Sequence, residues 1–206
     1  SPINVAIPSG NFGNAYSAGF GRSHGLKINQ IMCTTNVNDV LKRFIDSGIL
    51  EPQTTKPSVA PSMDIQIPSS LERLIYDFES DATSFYQDLN ENKKATLSEG
   101  SRDKLQHIFS SQTFDDEKIK EEIKTFNDLF NIVFDPHTVT SLRMAIDINS
   151  SVPTVAVATA SPDKFSNVIS PIIEDFPVSE IDKDEDFETL GPQKDQIIES
   201  IKAKFS

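Results

Sequence analysis

The sequence predicts an α/β protein, a parallel sheet flanked by helices, on three observations. Short apolar runs that read as strands, Ile3 to Ile7 and Ile28 to Thr34, alternate with stretches whose apolar residues recur at helical spacing. A third run, Thr154 to Ala158, carries no charge and reads as a strand buried on both faces. Between the first strand and the first helix lies Pro8-Ser9-Gly10-Asn11-Phe12-Gly13-Asn14, a loop at the carboxyl end of a strand, where open parallel sheets gather their ligands. Alternation of this kind implies right-handed crossovers.

The elements follow in order. Asn14 to His24 reads as a helix ended by Gly25, and Asn38 as the cap of a helix carrying Val40, Leu41, Phe44 and Ile45 before Gly48 stops it. Residues 51–62 hold three prolines among Ser and Thr and read as a surface loop. Ser69 and Glu72 have the spacing of a capping box ahead of Leu71, Leu74, Ile75 and Phe78. From 79 to 131 the apolar residues thin out, mostly three or four apart, which predicts a helical insertion packed outside the α/β core. Its cluster from Asp115 to Glu122 reads as a solvated helix face. Asp135-Pro136 opens a helix with Leu142, Ala145 and Ile146 on one face, and Ser161-Pro162 starts another with Phe165, Val168 and Ile169. Glu174 to Glu188 holds eight carboxylates and one lysine and reads as loose, before a last helix over 192–205. The expected organisation is a core of 1–78 and 132–170, an insertion of 79–131, and an acidic segment with the C-terminal helix over 171–206.

Composition bounds the function. A net charge of −12 argues against nucleic acid, whose phosphates need a positive stripe, and against an acidic membrane surface. No run approaches the ~20 apolar residues of a spanning helix. One cysteine, Cys33, cannot make an internal disulfide, which fits a reducing, cytoplasmic setting, and it reads as a small apolar residue inside a strand. Three scattered histidines give no zinc spacing, so no metal is expected.

The chemistry concentrates in the first loop. Gly10 and Gly13 let the backbone adopt unusual conformations and turn N–H groups toward one point, and a helix starting near Asn14 adds unpaired N–H groups and a positive dipole end. That is a phosphate cradle built without lysine or arginine. The spacing of two glycines is equally that of an ordinary strand-to-helix turn.

Ser9-Gly10-Asn11-Phe12-Gly13-Asn14 resembles the cofactor-phosphate loop of the threonine synthases, pyridoxal-phosphate enzymes of fold type II. Further blocks follow in that family's order: Thr35-Asn36-Val37-Asn38-Asp39-Val40-Leu41 with Arg43-Phe44, Pro61-Ser62-Met63-Asp64-Ile65 with Pro68-Ser69, and Glu72-Arg73-Leu74. Asp135-Pro136-His137-Thr138 and Ala158-Thr159-Ala160 with Pro162 and Lys164-Phe165 complete the series. The long fungal and bacterial type is the nearest in pattern.

The resemblance implies a tryptophan-synthase-β-like cofactor domain and a lyase that takes O-phospho-L-homoserine and water to L-threonine and phosphate. It implies that Gly10, Asn11, Phe12, Gly13 and Asn14 hold the phosphate of pyridoxal 5'-phosphate, mainly through main-chain N–H groups. Thr159 matches the position whose hydroxyl faces the pyridine nitrogen; as a strand-end residue it is equally suited to bonding nearby backbone. His137 reads as ordering a turn, and Ser161 stands where the family commonly has histidine. No counterpart of the family's Phe-Lys-Asp segment, with the Schiff-base lysine, occurs here, so no catalytic residue is assigned to this chain. Three strands rarely cover themselves, and Ser1 leads almost directly into one. The expectation is therefore the C-terminal part of a longer enzyme, partnered by its missing N-terminal portion and inactive alone. Alternatives are a related phospho-lyase for another hydroxy-amino-acid phosphate, or a noncatalytic interaction protein.

Overall fold

A computed structural model describes residues 1–176 and 188–204. The chain runs β1 (Ile3–Pro8), α1 (Gly13–Ser23), β2 (Ile28–Thr35), α2 (Val40–Ser47) and a short β3 (Ile49–Leu50). It continues through α3 (Leu71–Glu79), α4 (Thr83–Asn92), β4 (Ala95–Thr96), α5 (Glu99–Ile108), β5 (Phe109–Thr113) and α6 (Asp116–Phe130). Then follow α7 (Thr138–Asp147), β6 (Thr154–Ala156), α8 (Ser166–Ile169) and α9 (Lys194–Lys204).

The sheet is parallel throughout, in the order β5-β2-β1-β6, so the α/β class expected from the sequence is the one found. Side chains of the two central strands alternate between its faces, as the pleat requires. Val5, Ile7, Ile31 and Cys33 join one core with Ala15 of α1 and Val40, Leu41 and Phe44 of α2. Ala6 and Met32 join the other with Ile119, Ile123 and Phe126 of α6 and Val139 and Met144 of α7. Helices on both faces explain why β1 and β2 read as continuous apolar runs. Cys33 is fully buried there, and burial pushes its thiol up to about 12, the Ser9 hydroxyl pulling the other way.

Several local expectations change. The segment 79–131 is not wholly helical, since Phe109–Thr113 forms β5 and pairs with β2 from Ile31↔Phe109 to Thr35↔Thr113. The run at Thr154 is not a doubly buried strand: β6 is three residues long, lies at the edge, and leaves Val155 48% exposed. On α7 the buried side is Thr138, Val139, Thr140, Ser141 and Met144, whereas Ile146 faces outward. Its small polar residues allow close approach to the sheet, and the Thr140 and Thr34 hydroxyls bond each other. Glu122 departs from the solvated face of α6, being buried and reached by Lys118 Nζ at 2.9 Å. Ile197 and Ile201 of α9 stay exposed. Phe205 and most of the acidic run from Glu174 to Glu188 lie outside the described residues.

The expected caps are also employed differently. Asp39, not Asn38, precedes α2, and its side chain makes no capping bond. Asn38 instead reaches across to the loop before α3: its Nδ2 donates to Lys56 O at 2.8 Å and Asp64 Oδ1 at 3.0 Å, and its Oδ1 accepts from Lys56 N at 2.8 Å. Asn36 Nδ2 donates to Ser58 Oγ at 2.7 Å, Ala60 O at 3.1 Å and Asp64 Oδ1 at 2.6 Å. This network ties residues 56–64 to the end of β2. Ser69 and Glu72 form no capping box; Ser70 precedes α3 without a side-chain cap. The Ser69 and Ser70 N–H groups donate to Asn11 Oδ1 at 3.4 Å and Asn11 O at 3.0 Å, locking the entry to α3 onto the first loop.

Candidate cofactor-phosphate cleft

The loop after β1 has an anion-binding shape, but not by the means the glycines suggest. Neither Gly10 nor Gly13 has a positive φ; the left-handed residue is Phe12, at φ 68° and ψ 8°. Such a conformation is costly for a residue with a Cβ and is held by its surroundings. Here the Phe12 ring is buried, 5.3 Å from the ring of Phe109 on β5. The left-handed step turns successive N–H groups into one concavity. Among the described residues no acceptor meets the N–H groups of Gly10, Asn11, Phe12, Gly13 or Asn14, and the first N–H of α1 to find a carbonyl is that of Tyr16, on Phe12 O at 2.8 Å. Gly10 is required for a different reason. A Cβ there would stand 2.5 Å from Ser62 O and 3.1 Å from Met63 Cα, so the main chain of 62–63 presses directly on the loop.

These donors open into a cleft of about 240 Å³ lined by residues Pro8 to Asn14 and Ser62. A second cavity, about 160 Å³, shares Pro8, Gly10, Asn14 and Ser62 with it and is closed by Met63, His137, Thr159 and Ala160. The structure thus brings all six sequence-predicted residues to two adjoining spaces: Gly10 to Asn14 around the first, and Thr159, with Gly10 and Asn14, around the second. Neither lining contains a lysine, arginine or carboxylate, so any anion is met by neutral dipoles. Asn11 contributes main chain, its side chain being turned to Ser69, whereas the Asn14 side chain is exposed and has no hydrogen-bond partner among the described residues. Ser161 does not reach these cavities; its Oγ accepts from Asp163 N at 3.4 Å at the start of the next helical turn. A larger hollow, about 360 Å³, lies elsewhere, among Tyr16, Phe20, Leu74, Phe78 and Phe109. It is mainly apolar and has no cluster of free main-chain donors. The chemistry, not the volume, selects the smaller pair.

His137, read from the sequence as ordering a turn, lines the second cavity, and Asp135 and Thr138 stand behind it. Asp135, His137 and Thr138 are all buried at the entry to α7. Asp135 Oδ1 accepts from His137 N at 2.9 Å and from His137 Nδ1 at 2.8 Å, and Oδ2 accepts from the Thr138 hydroxyl. His137 Nε2 accepts the Ser62 N–H at 3.1 Å, which fixes the neutral tautomer with its proton on Nδ1. Thr138 Oγ1 in turn accepts the Thr159 N–H at 3.2 Å. His137 therefore does more than order a turn: it belongs to the cavity wall, with the Phe165 ring 4.7 Å away. The available signal was Asp at the residue before proline followed by His and Thr, a pattern that gathers local donors on one carboxylate.

Burial pushes the Asp135 carboxyl up, but hydrogen bonds from the His137 ring, the Thr138 hydroxyl and the His137 N–H outweigh it and hold the group below the ordinary aspartate range. A depressed folded-state value contributes stability in full above the unfolded value of about 3.9, and that contribution is lost as pH falls through the lower folded value. In acid titrations followed by circular dichroism, wild type should lose stability more steeply across that window than Asp135→Asn. Equal slopes would refute this linkage.

No family model matches the chain. It is similar to threonine synthase of Pseudomonas aeruginosa, at 32% identity over 173 residues that make up 81% of this chain and 37% of that protein. With threonine synthase of Saccharomyces cerevisiae, identity is 27% over 205 residues, 88% of this chain and 40% of the relative. The structure of PLP-bound threonine synthase from Brucella melitensis matches at a TM-score of 0.79 and 29% identity, over 84% of this chain and 38% of that one. The chain spans about two fifths of the length of these relatives. Among the described residues no helix is long and apolar enough to cross a membrane, and no group of three or more His, Cys, Asp or Glu is placed to hold a metal.

Proposed function

Because the chain belongs to the threonine synthase family and matches the C-terminal part of its longer members, we propose that it holds pyridoxal 5'-phosphate in an enzyme that converts O-phosphohomoserine and water to threonine and phosphate. The observation that carries this reading is the pair of adjoining cavities, with five unpaired main-chain donors around the first and Thr159 on the second. The residues fit the cofactor: a concavity of N–H groups at a helix N-terminus, free of carboxylates, suits a phosphate dianion.

Pyridoxal phosphate, when bound, supplies the electron sink for chemistry at the substrate's α and β carbons. The chain's own residues orient it. The N–H groups of Gly10 to Asn14 would hold the phosphate, Ser62 lines the same space, and the Thr159 hydroxyl would face the ring nitrogen. A hydroxyl there would not hold a proton on that nitrogen as a carboxylate would. His137, with its Nε2 lone pair taken by Ser62 N–H, adds no charge to the wall. The Schiff-base lysine belongs, on this reading, to the family's upstream segment, so the chain alone binds the cofactor without turnover.

Titration with pyridoxal 5'-phosphate, followed by cofactor fluorescence, should show saturable binding that inorganic phosphate competes away. After borohydride reduction, mass spectrometry should find no cofactor fixed in the cleft. Failure to bind, or specific fixation on a lysine such as Lys164, would overturn the reading.

A further inference from the structure

We propose that Asp135 is a positioning residue that sets the spacing of the cleft by holding its two walls through separate arms; this rests on the cofactor reading above. One arm runs from Asp135 Oδ1 to His137 Nδ1 at 2.8 Å and from His137 Nε2 to Ser62 N at 3.1 Å. It fixes the main chain of Ser62, the residue whose carbonyl abuts Gly10, and hence the back of the phosphate loop. The other runs from Asp135 Oδ2 through the Thr138 hydroxyl to Thr159 N at 3.2 Å. It fixes the residue at the ring end of the second cavity. Asp135, His137 and Thr138 are each at most 3% exposed, so the carboxylate and its bonds to the His137 ring and the Thr138 hydroxyl are shielded from water. Each atom in the relay has one available role. The carboxylate can only accept, which forces the His137 proton onto Nδ1 and frees Nε2 for Ser62. It also takes the Thr138 hydroxyl proton and leaves that oxygen to accept from Thr159. A single ionised group thereby couples segments that are far apart in sequence, and the loop donors themselves stay outside the relay.

This separation makes the two ends distinguishable by ligand. In the 206-residue chain, Asp135→Asn should speed amide hydrogen exchange at both Ser62 and Thr159 by about tenfold, the size expected for losing one hydrogen bond. Affinity for inorganic phosphate should stay within about twofold, because the loop N–H groups that meet it lie outside the relay. The Kd for pyridoxal 5'-phosphate, which needs both ends of the cleft at their proper spacing, should rise about tenfold. The arms should separate. Thr138→Val should free Thr159 alone, with Thr138→Ser restoring protection and affinity, and His137→Phe should free Ser62 alone. Unchanged exchange at both amides, or unchanged pyridoxal phosphate affinity in Asp135→Asn, would overturn the proposal. If Asp135→Asn does not fold, Thr138→Val and Thr138→Ser decide, and identical behaviour of that pair counts against it. If wild type binds neither phosphate nor pyridoxal phosphate, the cofactor reading falls, while the exchange data still judge the relay.

Discussion

Gly10→Val is expected to abolish phosphate binding and to destabilise the fold by about 3 kcal/mol, the upper range for forcing new atoms into a packed interior. The added Cβ meets Ser62 O at 2.5 Å and Met63 Cα at 3.1 Å, both main chain. Neither can rotate away as a side-chain tip would. The 62–63 backbone is further pinned by the Ser62 N–H on His137 and by the Met63 N–H on Ala60 O, so the strain spreads into both cleft walls. Gly13→Ala is the matched control. Its Cβ would lie 3.5 Å from Ser70 Oγ, an ordinary contact, and its stability should stay within about 0.5 kcal/mol of wild type. Urea denaturation of both variants, with phosphate titration beside it, separates damage to the scaffold from damage to the donors. Wild-type stability in Gly10→Val would refute the close approach of 62–63.

Asp64→Ala should have a comparable effect by the opposite route, a loss of polar partners. Asp64 Oδ1 accepts from Asn36 Nδ2 at 2.6 Å, Ser58 Oγ at 2.7 Å and Asn38 Nδ2 at 3.0 Å, and Oδ2 accepts from Ser58 N at 3.1 Å. Asn36 and Asn38 are both buried and each loses a charged acceptor, though Asn36 Nδ2 keeps Ser58 Oγ and Ala60 O and Asn38 Nδ2 keeps Lys56 O and Asn36 Oδ1. The Ser58 hydroxyl and N–H lose the acceptor that they share. Hydrogen bonds to charged groups contribute about 1.5–3 kcal/mol each, but a shared acceptor is not additive; about 3–4 kcal/mol in total is expected. The urea midpoint should fall with little change in slope. A midpoint within error of wild type would show that water replaces Asp64 and that the network is not structural.

Much of this architecture was legible because β1 and β2 are covered on both faces and α2 has one apolar stripe. The signal failed where pairing depends on main chain. Ser110, Ser111, Gln112 and Thr113 have no apolar alternation, yet they extend the sheet through backbone hydrogen bonds to β2. The opposite error occurred at Val155, since a β-branched run is written alike for a central strand and for an edge. Asn38, Ser69 and Glu72 have the right types for helix caps, but types cannot tell a local acceptor from one across a loop. At the site, the spacing of Gly10 and Gly13 marked the loop, whereas the positive φ of Phe12 depends on Phe109 far along the chain. The bonds of Asp135 to His137 and Thr138 are local, but those of His137 to Ser62 and of Thr138 to Thr159 form only when the chain closes, across 75 and 21 residues.

The position of β1 between β2 and β6 also governs how the sheet is assembled. Val5 pairs with Ile31 on one side and with Val155 on the other. Closing the second pairing spans roughly six times as much chain and adds about 1.6 kcal/mol of loop entropy. β6 makes only three register pairs to offset that, against six for β2. It follows that the outer strand joins last during folding and leaves first in partial opening. Thr159 sits just beyond it, so the ring end of the cleft matures only after the phosphate loop is already in place.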